Sequence, residues 1–242
     1  MYFYIYDEIL SQQKYANAIA DIETRLTDLE LQGRIGRLGP LKSAKEMVKQ
    51  AIRGGVNTVV AVGTDRTITE TVNAIAGTDL TMGIIPVGGE SRIARLLGIP
   101  EGEEATAILA ARKVEIVDLG KISNLYFLTS TEITINAPIT LECDDKYTLR
   151  APAEGSTVLT VANLDTGTHC QDGYLEAFIQ SSKRQWFKKN IQYSTVSFKK
   201  GKIITNNTAH ALVENTYQVK LPTTISIIPK ILKIIVGKDR AF

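Results

Sequence analysis

Cysteine is scarce in this chain of 242 residues: Cys143 and Cys170 are the whole supply. Neither has a His or Cys at zinc-site spacing, which argues against a metal cluster, and two reduced thiols of a cytosolic protein are the expectation. Long apolar runs are missing too; none reaches the ~20 residues a membrane-spanning helix needs. The opening Met1-Tyr2-Phe3-Tyr4-Ile5-Tyr6-Asp7-Glu8 has no basic stretch and no small-residue cleavage site, so no secretory signal is expected and the location reads as cytoplasmic. Seven prolines and 18 glycines exclude collagen-like or low-complexity character. The only histidines, His169 and His210, form no Ser-His-Asp order, and no G-x-S-x-G elbow is present, so serine-hydrolase chemistry is not indicated. Acid is nearly absent from the last quarter. Residues 183–242 hold 12 Lys and Arg against Glu214 and Asp239 alone, whereas residues 1–120 hold 13 against 16. Such a basic quarter fits an anionic partner (phosphate ligand, nucleic acid or acidic membrane) or a merely solvated lysine-rich surface.

What is present is a packed core: 44% of the residues are hydrophobic. The first 120 residues alternate strand and helix signals. Tyr2–Tyr6 is a strand candidate. A helix is expected over Gln12–Leu31, with Tyr15, Ile19, Ile22, Leu26 and Leu29 on one face. Pro40 opens a second helix, with Leu41, Ala44, Val48 and Ile52 inward. Thr58–Val62 is a fully apolar strand of the kind buried in a parallel sheet. Helix 67–76, strand Gly83–Pro86, helix 91–97, helix 103–112 and strand Val114–Val117 follow. This alternation predicts a doubly wound α/β domain. After Gly120 short β runs recur with turns between them, which predicts an antiparallel β-sandwich. The expected domains are therefore 1–120 and 121–242.

Two segments carry chemistry. In the first, a strand ends at Gly63, Thr64-Asp65-Arg66 make a turn, and Thr67 starts a helix. The carboxyl end of a strand feeding a helix N-terminus is where open α/β sheets bind ligands, and free helix N–H groups favour phosphate. Asp65 is suited to orient Mg²⁺ and Arg66 to neutralise phosphate charge. An ordinary capped helix, with Thr67 or Asp65 as cap, explains the same residues. The second segment, Gly83-Ile84-Ile85-Pro86-Val87-Gly88-Gly89-Glu90-Ser91-Arg92, again runs a strand into a glycine loop and a short helix. Its alternative reading is a glycine turn at positive φ.

Together these segments resemble the lipid kinases of the diacylglycerol kinase and sphingosine kinase family. Gly63, Asp65 and Thr67 match the family's G-G-D-G-T, and Asn73 matches its helix end. Gly83–Pro86, Gly88, Ala94, Arg95 and Leu97–Pro100 match its G-I-I-P-L-G-T-G-N-D-x-A-R-x-L-G-I-P. Ala162-Asn163, Asp172-Gly173-Tyr174-Leu175 and Pro222–Val236 resemble its later segments. The resemblance implies a phosphofructokinase-like nucleotide-binding domain, a C-terminal β-sandwich, and transfer of the γ-phosphoryl of Mg-ATP to a lipid hydroxyl such as that of diacylglycerol. It implies catalytic roles for Asp65 and Glu214, and a phosphate site from Gly63, Thr64, Asp65, Arg66 and Thr67 facing Gly88, Gly89 and Ser91. It also implies a Mg²⁺ ligand in Asp172. The partners implied are a nucleotide and a lipid met peripherally at a membrane surface, with no nucleic acid.

The departures fall on the same loops. Tyr6-Asp7-Glu8 stands where the family has N-P-x-S-G. Thr64 and Arg66 replace glycines whose N–H groups approach phosphate, and Leu38 replaces a threonine. Gly-Thr-Gly-Asn-Asp has become Gly88-Gly89-Glu90-Ser91-Arg92. Gln171 precedes Asp172 in place of an acid. Asp-Gly-Glu falls on Glu214-Asn215-Thr216. Two readings follow: a divergent kinase using Arg66 and Arg92 as donors, or a catalytically degenerate member that binds nucleotide or lipid. Separately, Lys183-Arg184-Gln185-Trp186-Phe187-Lys188-Lys189 places Trp and Phe between basic pairs. That pattern suits an interfacial anchor on anionic lipid, or a core aromatic pair with solvated lysines.

Overall fold

The computed structural model describes residues 1–151, 156–185 and 188–242, with the backbone alone over 181–185 and 188–192. Trp186 and Phe187 therefore lie outside the described residues. The chain divides into two compact units, Met1–Val117 with Lys230–Ala241, and Asp118–Pro229 with Phe242.

The first unit is built on β1 (Tyr2–Tyr6), β2 (Gly33–Arg37), β3 (Thr58–Gly63) and β4 (Thr81–Pro86), all parallel in the order β2-β1-β3-β4. Between and after them come α1 (Ala16–Asp28), α2 (Ala44–Arg53), α3 (Asp65–Ile75), α4 (Arg92–Leu96) and α5 (Ala105–Ala111). The chain leaves β1 on one side for β2 and returns to the other side for β3. Right-handed crossovers then place α1 on one face and α2 and α3 on the other. Accordingly α2 packs on α3 and α1 packs on α5. Strands β3 and β4 are buried at every position, as strands covered on both faces must be. This is the doubly wound α/β architecture that the strand–helix alternation predicts.

The strand order reverses between β1 and β3, and that reversal fixes where a ligand crevice opens. Asp7 follows the carboxyl end of β1 and Thr64 that of β3.

Two helix starts differ from expectation for local reasons. The Gln12–Leu31 periodicity holds a helix only over Ala16–Asp28, because Glu8–Ser11 and Gln13–Tyr15 form tighter 3₁₀ turns. The second helix begins at Ala44 instead of Pro40. Ser43 accepts from the Glu46 N–H while the Glu46 carboxylate accepts from the Ser43 N–H, a reciprocal capping box that sets the start. Leu41 is thereby left 93% exposed, and the buried face becomes Ala44, Met47, Val48 and Ala51.

In the second unit β5 (Val114–Ile122) leads in from the first, and β6 (Leu125–Phe127) pairs back on it. The strands that follow are β7 (Ser130–Ile135), β8 (Ile139–Cys143), β9 (Tyr147–Ala151), β10 (Ser156–Ala162), β11 (Leu175–Gln185) and β12 (Lys188–Phe198). The last four are β13 (Lys200–Thr205), β14 (His210–Val213), β15 (Tyr217–Lys220) and β16 (Thr223–Ile235). One antiparallel sheet runs β12-β11-β10-β7-β14-β15. A second is made by β9, β8, β13 and the first half of β16. Their inner faces share one core, in which Leu141, Cys143 and Ile203 of the second sheet meet Ile133, Leu159, Leu175 and Val213 of the first. Two antiparallel sheets around one core make a β-sandwich. The second half of β16 belongs to the first unit, where Lys233 and Ile234 pair in parallel with Thr81 and Met82 of β4. No helix of the described residues is long and apolar enough to cross a membrane.

Candidate functional site

The crevice at the β1/β3 reversal is a cavity of about 500 Å³. Asp7, Ile9, Lys42, Thr64, Arg66 and Thr67 line it, with Glu8, Ser43, Glu70 and the stretch 38–40 completing the wall. A volume of that order suits a small ligand.

Its inner end is organised by Asp7. The carboxylate is buried, 8% exposed, yet no lysine or arginine balances it among its hydrogen-bond partners. Instead Oδ2 accepts from the hydroxyls of Thr64 and Thr67, both at 2.7 Å, and from the Thr64 N–H at 3.4 Å. Oδ1 accepts from the Ile9 N–H at 3.1 Å. Burial by itself pushes the Asp7 carboxyl up; the threonine hydroxyls and backbone N–H groups outweigh it and hold the group below the usual carboxylate range. Asp7 is thus an anion at neutral pH, seated on the turn from β3 into α3.

Gly63 makes that seat available. Its φ is +145°, and a Cβ there would stand 2.4 Å from the Asp7 Cβ. Thr64 is the N-cap of α3, but its hydroxyl serves Asp7 and makes no cap bond. Gly88 lies against the same turn at φ +103°, where a Cβ would meet Ile9 Cδ1 at 3.0 Å and Thr64 Cγ2 at 3.3 Å. Gly89, at φ +133°, has open space on its Cβ side.

Asp65 points elsewhere. Its carboxylate accepts from the Ser91 hydroxyl, in a short bond, and from the Arg92 N–H at 3.1 Å. Ser91 in turn accepts from the Ala94 N–H and caps α4. The two loops predicted to face each other are therefore joined, through Asp65 and Ser91. The Arg66 guanidinium, 71% exposed, pairs with Glu70 Oε1 at 3.2 Å. Thr64, Arg66 and Thr67 line the cavity; Gly63 and Gly88 shape it from behind; Asp65 and Ser91 tie its turn to α4. Asp7 itself looks from the sequence like a repulsive intruder, and its hydroxyl partners escape notice. The legible signal is register: Tyr6 pairs with Val62, so Asp7 falls beside Gly63 and the turn.

In the second unit Glu214 is buried at φ +48°. Its Oε1 accepts from the N–H groups of Leu128 and Thr129 at 2.6 and 2.8 Å, and its Oε2 from the Thr129 hydroxyl in a short bond. The carboxylate pins the β6–β7 turn. Asp172 Oδ1 accepts from the Tyr174 N–H at 2.9 Å. Its acidic neighbour is Glu176, whose Oε2 is buried without a hydrogen-bond partner. Burial first, and the Asp172 charge second, push the Glu176 carboxyl up to about 7. Among the described residues no three His, Cys, Asp or Glu side chains come together as a metal site. The pair Asp172–Glu176 falls short of the oxygen set Mg²⁺ needs.

The fit to a triphosphate at the β3–α3 turn is likewise poor. Three of the donors such a group would use, the Thr64 N–H and the Thr64 and Thr67 hydroxyls, already serve Asp7. A carboxylate and a phosphate oxygen ~4 Å apart repel by about 1 kcal/mol in water and about 4 kcal/mol near a protein surface.

Comparison with known proteins places this geometry. A family model described as the diacylglycerol kinase catalytic domain matches residues 2–122. A diacylglycerol kinase of Bacillus subtilis (strain 168) is 32% identical over 109 residues, 41% of this chain and 36% of that protein. A diacylglycerol kinase of Mycobacterium tuberculosis (strain ATCC 25618 / H37Rv) is 31% identical over 110 residues, 44% of this chain and 34% of that protein. The match thus spans about a third of the length of these curated relatives. A crystal structure of a diacylglycerol kinase from Bacillus anthracis str. Sterne superposes with a TM-score of 0.80 at 18% identity, covering 98% of this chain and 97% of that one. At that identity the likeness is one of fold.

Proposed function

The chain belongs to the diacylglycerol kinase catalytic-domain family, and from that premise we propose that it is a ligand-binding member of the family that does not transfer phosphate. The observation that carries this reading is the ionised Asp7 carboxylate on the β3–α3 turn, bonded to the hydroxyls of Thr64 and Thr67. Phosphoryl transfer depends almost wholly on positioning and charge stabilisation. Asp7 works against both, since it occupies donors and adds negative charge where phosphate would sit. Glu214, the candidate assisting carboxylate, has both oxygens engaged within its own unit.

The cavity still has the size and mixed lining of a small-molecule site, with apolar Ile9 and Leu38 beside Lys42 and Ser43. We assign to it the nucleoside end of a nucleotide. Affinity is then expected to fall with each added phosphate, the reverse of a kinase. Calorimetric titration of adenosine, ADP and Mg-ATP tests the order, alongside a radiolabel assay for phosphate transfer to diacylglycerol. Tight Mg-ATP binding with phosphatidic acid formation, lost in Asp65→Ala, would overturn the proposal.

That outcome would establish the second reading, a Mg-ATP-dependent lipid kinase acting peripherally on a membrane from the cytoplasm. The observation favouring it is the Asp65 link, which keeps the two family loops joined through Ser91 and Arg92.

A further inference from the structure

We propose that the crevice of the first unit selects its ligand by a vicinal diol, the ribose edge of a ribonucleoside, and that Asp7 is the selecting residue. The inference rests on the nucleoside reading above and adds which part of the nucleoside meets the inner end. Asp7, Thr64 and Thr67 line that end. Their protons are spent. An ionised carboxylate has none, and each threonine hydroxyl has one, which it donates to Asp7 Oδ2. What these side chains have left to offer is acceptor capacity. Among the described residues Asp7 Oδ1 takes the Ile9 N–H alone, where a carboxylate oxygen has room for two donors. Each hydroxyl oxygen keeps lone pairs of its own.

The same wall includes Arg66 and Thr67 in the first turn of α3. The N–H groups of a first turn have no intrahelical carbonyl to meet. Acceptors therefore stand beside donors at the inner end. Phosphate brings acceptors and a negative charge, which meets the Asp7 carboxylate. An ammonium brings donors alone, and its charge meets Lys42 and Arg66 in the lining. A hydroxyl both gives and takes, and it is neutral. Two hydroxyls on adjacent carbons reach two partners at once, and ribose presents such a pair. Ile9 and Leu38 leave apolar surface in the same cavity for the base. Because Asp7 is charged and only 8% exposed, its bond to a ligand hydroxyl is charge-assisted and little screened.

The test is calorimetric titration of the whole protein with adenosine and with dideoxyadenosine, the analogue that lacks the diol. A hydrogen bond to a charged group contributes roughly tenfold to a hundredfold in affinity, and dideoxyadenosine should bind more weakly by that factor. Asp7→Asn should lower the affinity for adenosine, leave dideoxyadenosine close to its wild-type value, and so shrink the contrast. The asparagine amide donates to the threonine hydroxyls, whose protons are then free for phosphate. Mg-ATP should therefore move the opposite way to adenosine. A role in folding alone would shift all three ligands together. If circular dichroism shows Asp7→Asn unfolded, the wild-type contrast decides by itself. Equal affinity for adenosine and dideoxyadenosine would overturn the proposal. So would a contrast that survives Asp7→Asn intact, or capture of putrescine, a bare diammonium, in place of adenosine. The nucleoside reading fails on a different result, Mg-ATP binding more tightly than adenosine. The diol contrast is then read between ATP and dideoxy-ATP, where a loss upholds this proposal and equality overturns it. Failure of adenosine and ATP alike to bind overturns both.

Discussion

On the function proposed above, a single carboxylate decides how the first unit treats phosphate. Asp7→Asn keeps the shape of the side chain and removes the charge from the β3–α3 turn. Mg-ATP affinity is expected to rise at least about fivefold by calorimetry, in line with relief of a short-range repulsion of ~1–4 kcal/mol. An unchanged affinity would show that Asp7 does not guard the turn. The motif at Gly63, Asp65 and Thr67 was legible in the sequence because glycines and a strand end mark it. The role of Asp7 was not, since it depends on two hydroxyls about sixty residues away that come into range only when β1 and β3 pair. Glu176 makes a second prediction at this scale. Its carboxyl is raised to about 7 in the folded chain. The native state therefore holds a proton that the unfolded chain has released, and stability falls as pH rises from the ordinary glutamate range near 4.5 to about 7. Glu176→Gln should flatten that slope in thermal melts taken between those limits. A variant melting with the wild-type pH dependence would place the titration elsewhere.

Among the elements, strands were read more faithfully than helix starts. The apolar runs at β3 and β4 leave no choice but a covered sheet, and for the observed strand order handedness fixes the face each connecting helix covers. Helix starts turn on one or two side chains. Pro40 has the right backbone for a first turn, but Ser43 and Glu46 hold the reciprocal bonds, and they win. Ser43→Ala should cost about 1 kcal/mol of stability in a denaturant titration. An unaltered midpoint would mean that burial of Met47 and Val48 alone sets the start. The β11–β12 hairpin is longer than the β signal of its sequence suggests, because backbone pairing carries it on into a run of Lys and Arg.

For the molecule as a whole, the change of texture near Gly120 was plain, yet the return of the chain to the first unit was not. A periodicity scan sees neighbours in sequence, and the partner of β4 is some 150 residues on. Residues 230–236 bring Leu232, Ile234, Ile235 and Val236 into burial. A fragment of residues 1–120 would leave β4 as an unpaired apolar edge, the kind that recruits other chains. It should be recovered aggregated, whereas the same fragment joined by a flexible linker to residues 223–241 should regain solubility and helical circular dichroism. Comparable solubility of both would show that the unit closes without its last strand.

The second half of β16 also sets a timetable. On the ribosome the α/β unit emerges first, but its sheet lacks a strand until residue 236 has been made. The β-sandwich, all of whose strands precede Lys230, can finish beforehand. Domains commonly fold in the order they are synthesised. Here the half that is translated first is completed last, and the sheet that carries the crevice with Asp7 at its inner end stays one strand short until the second half of β16 has been made.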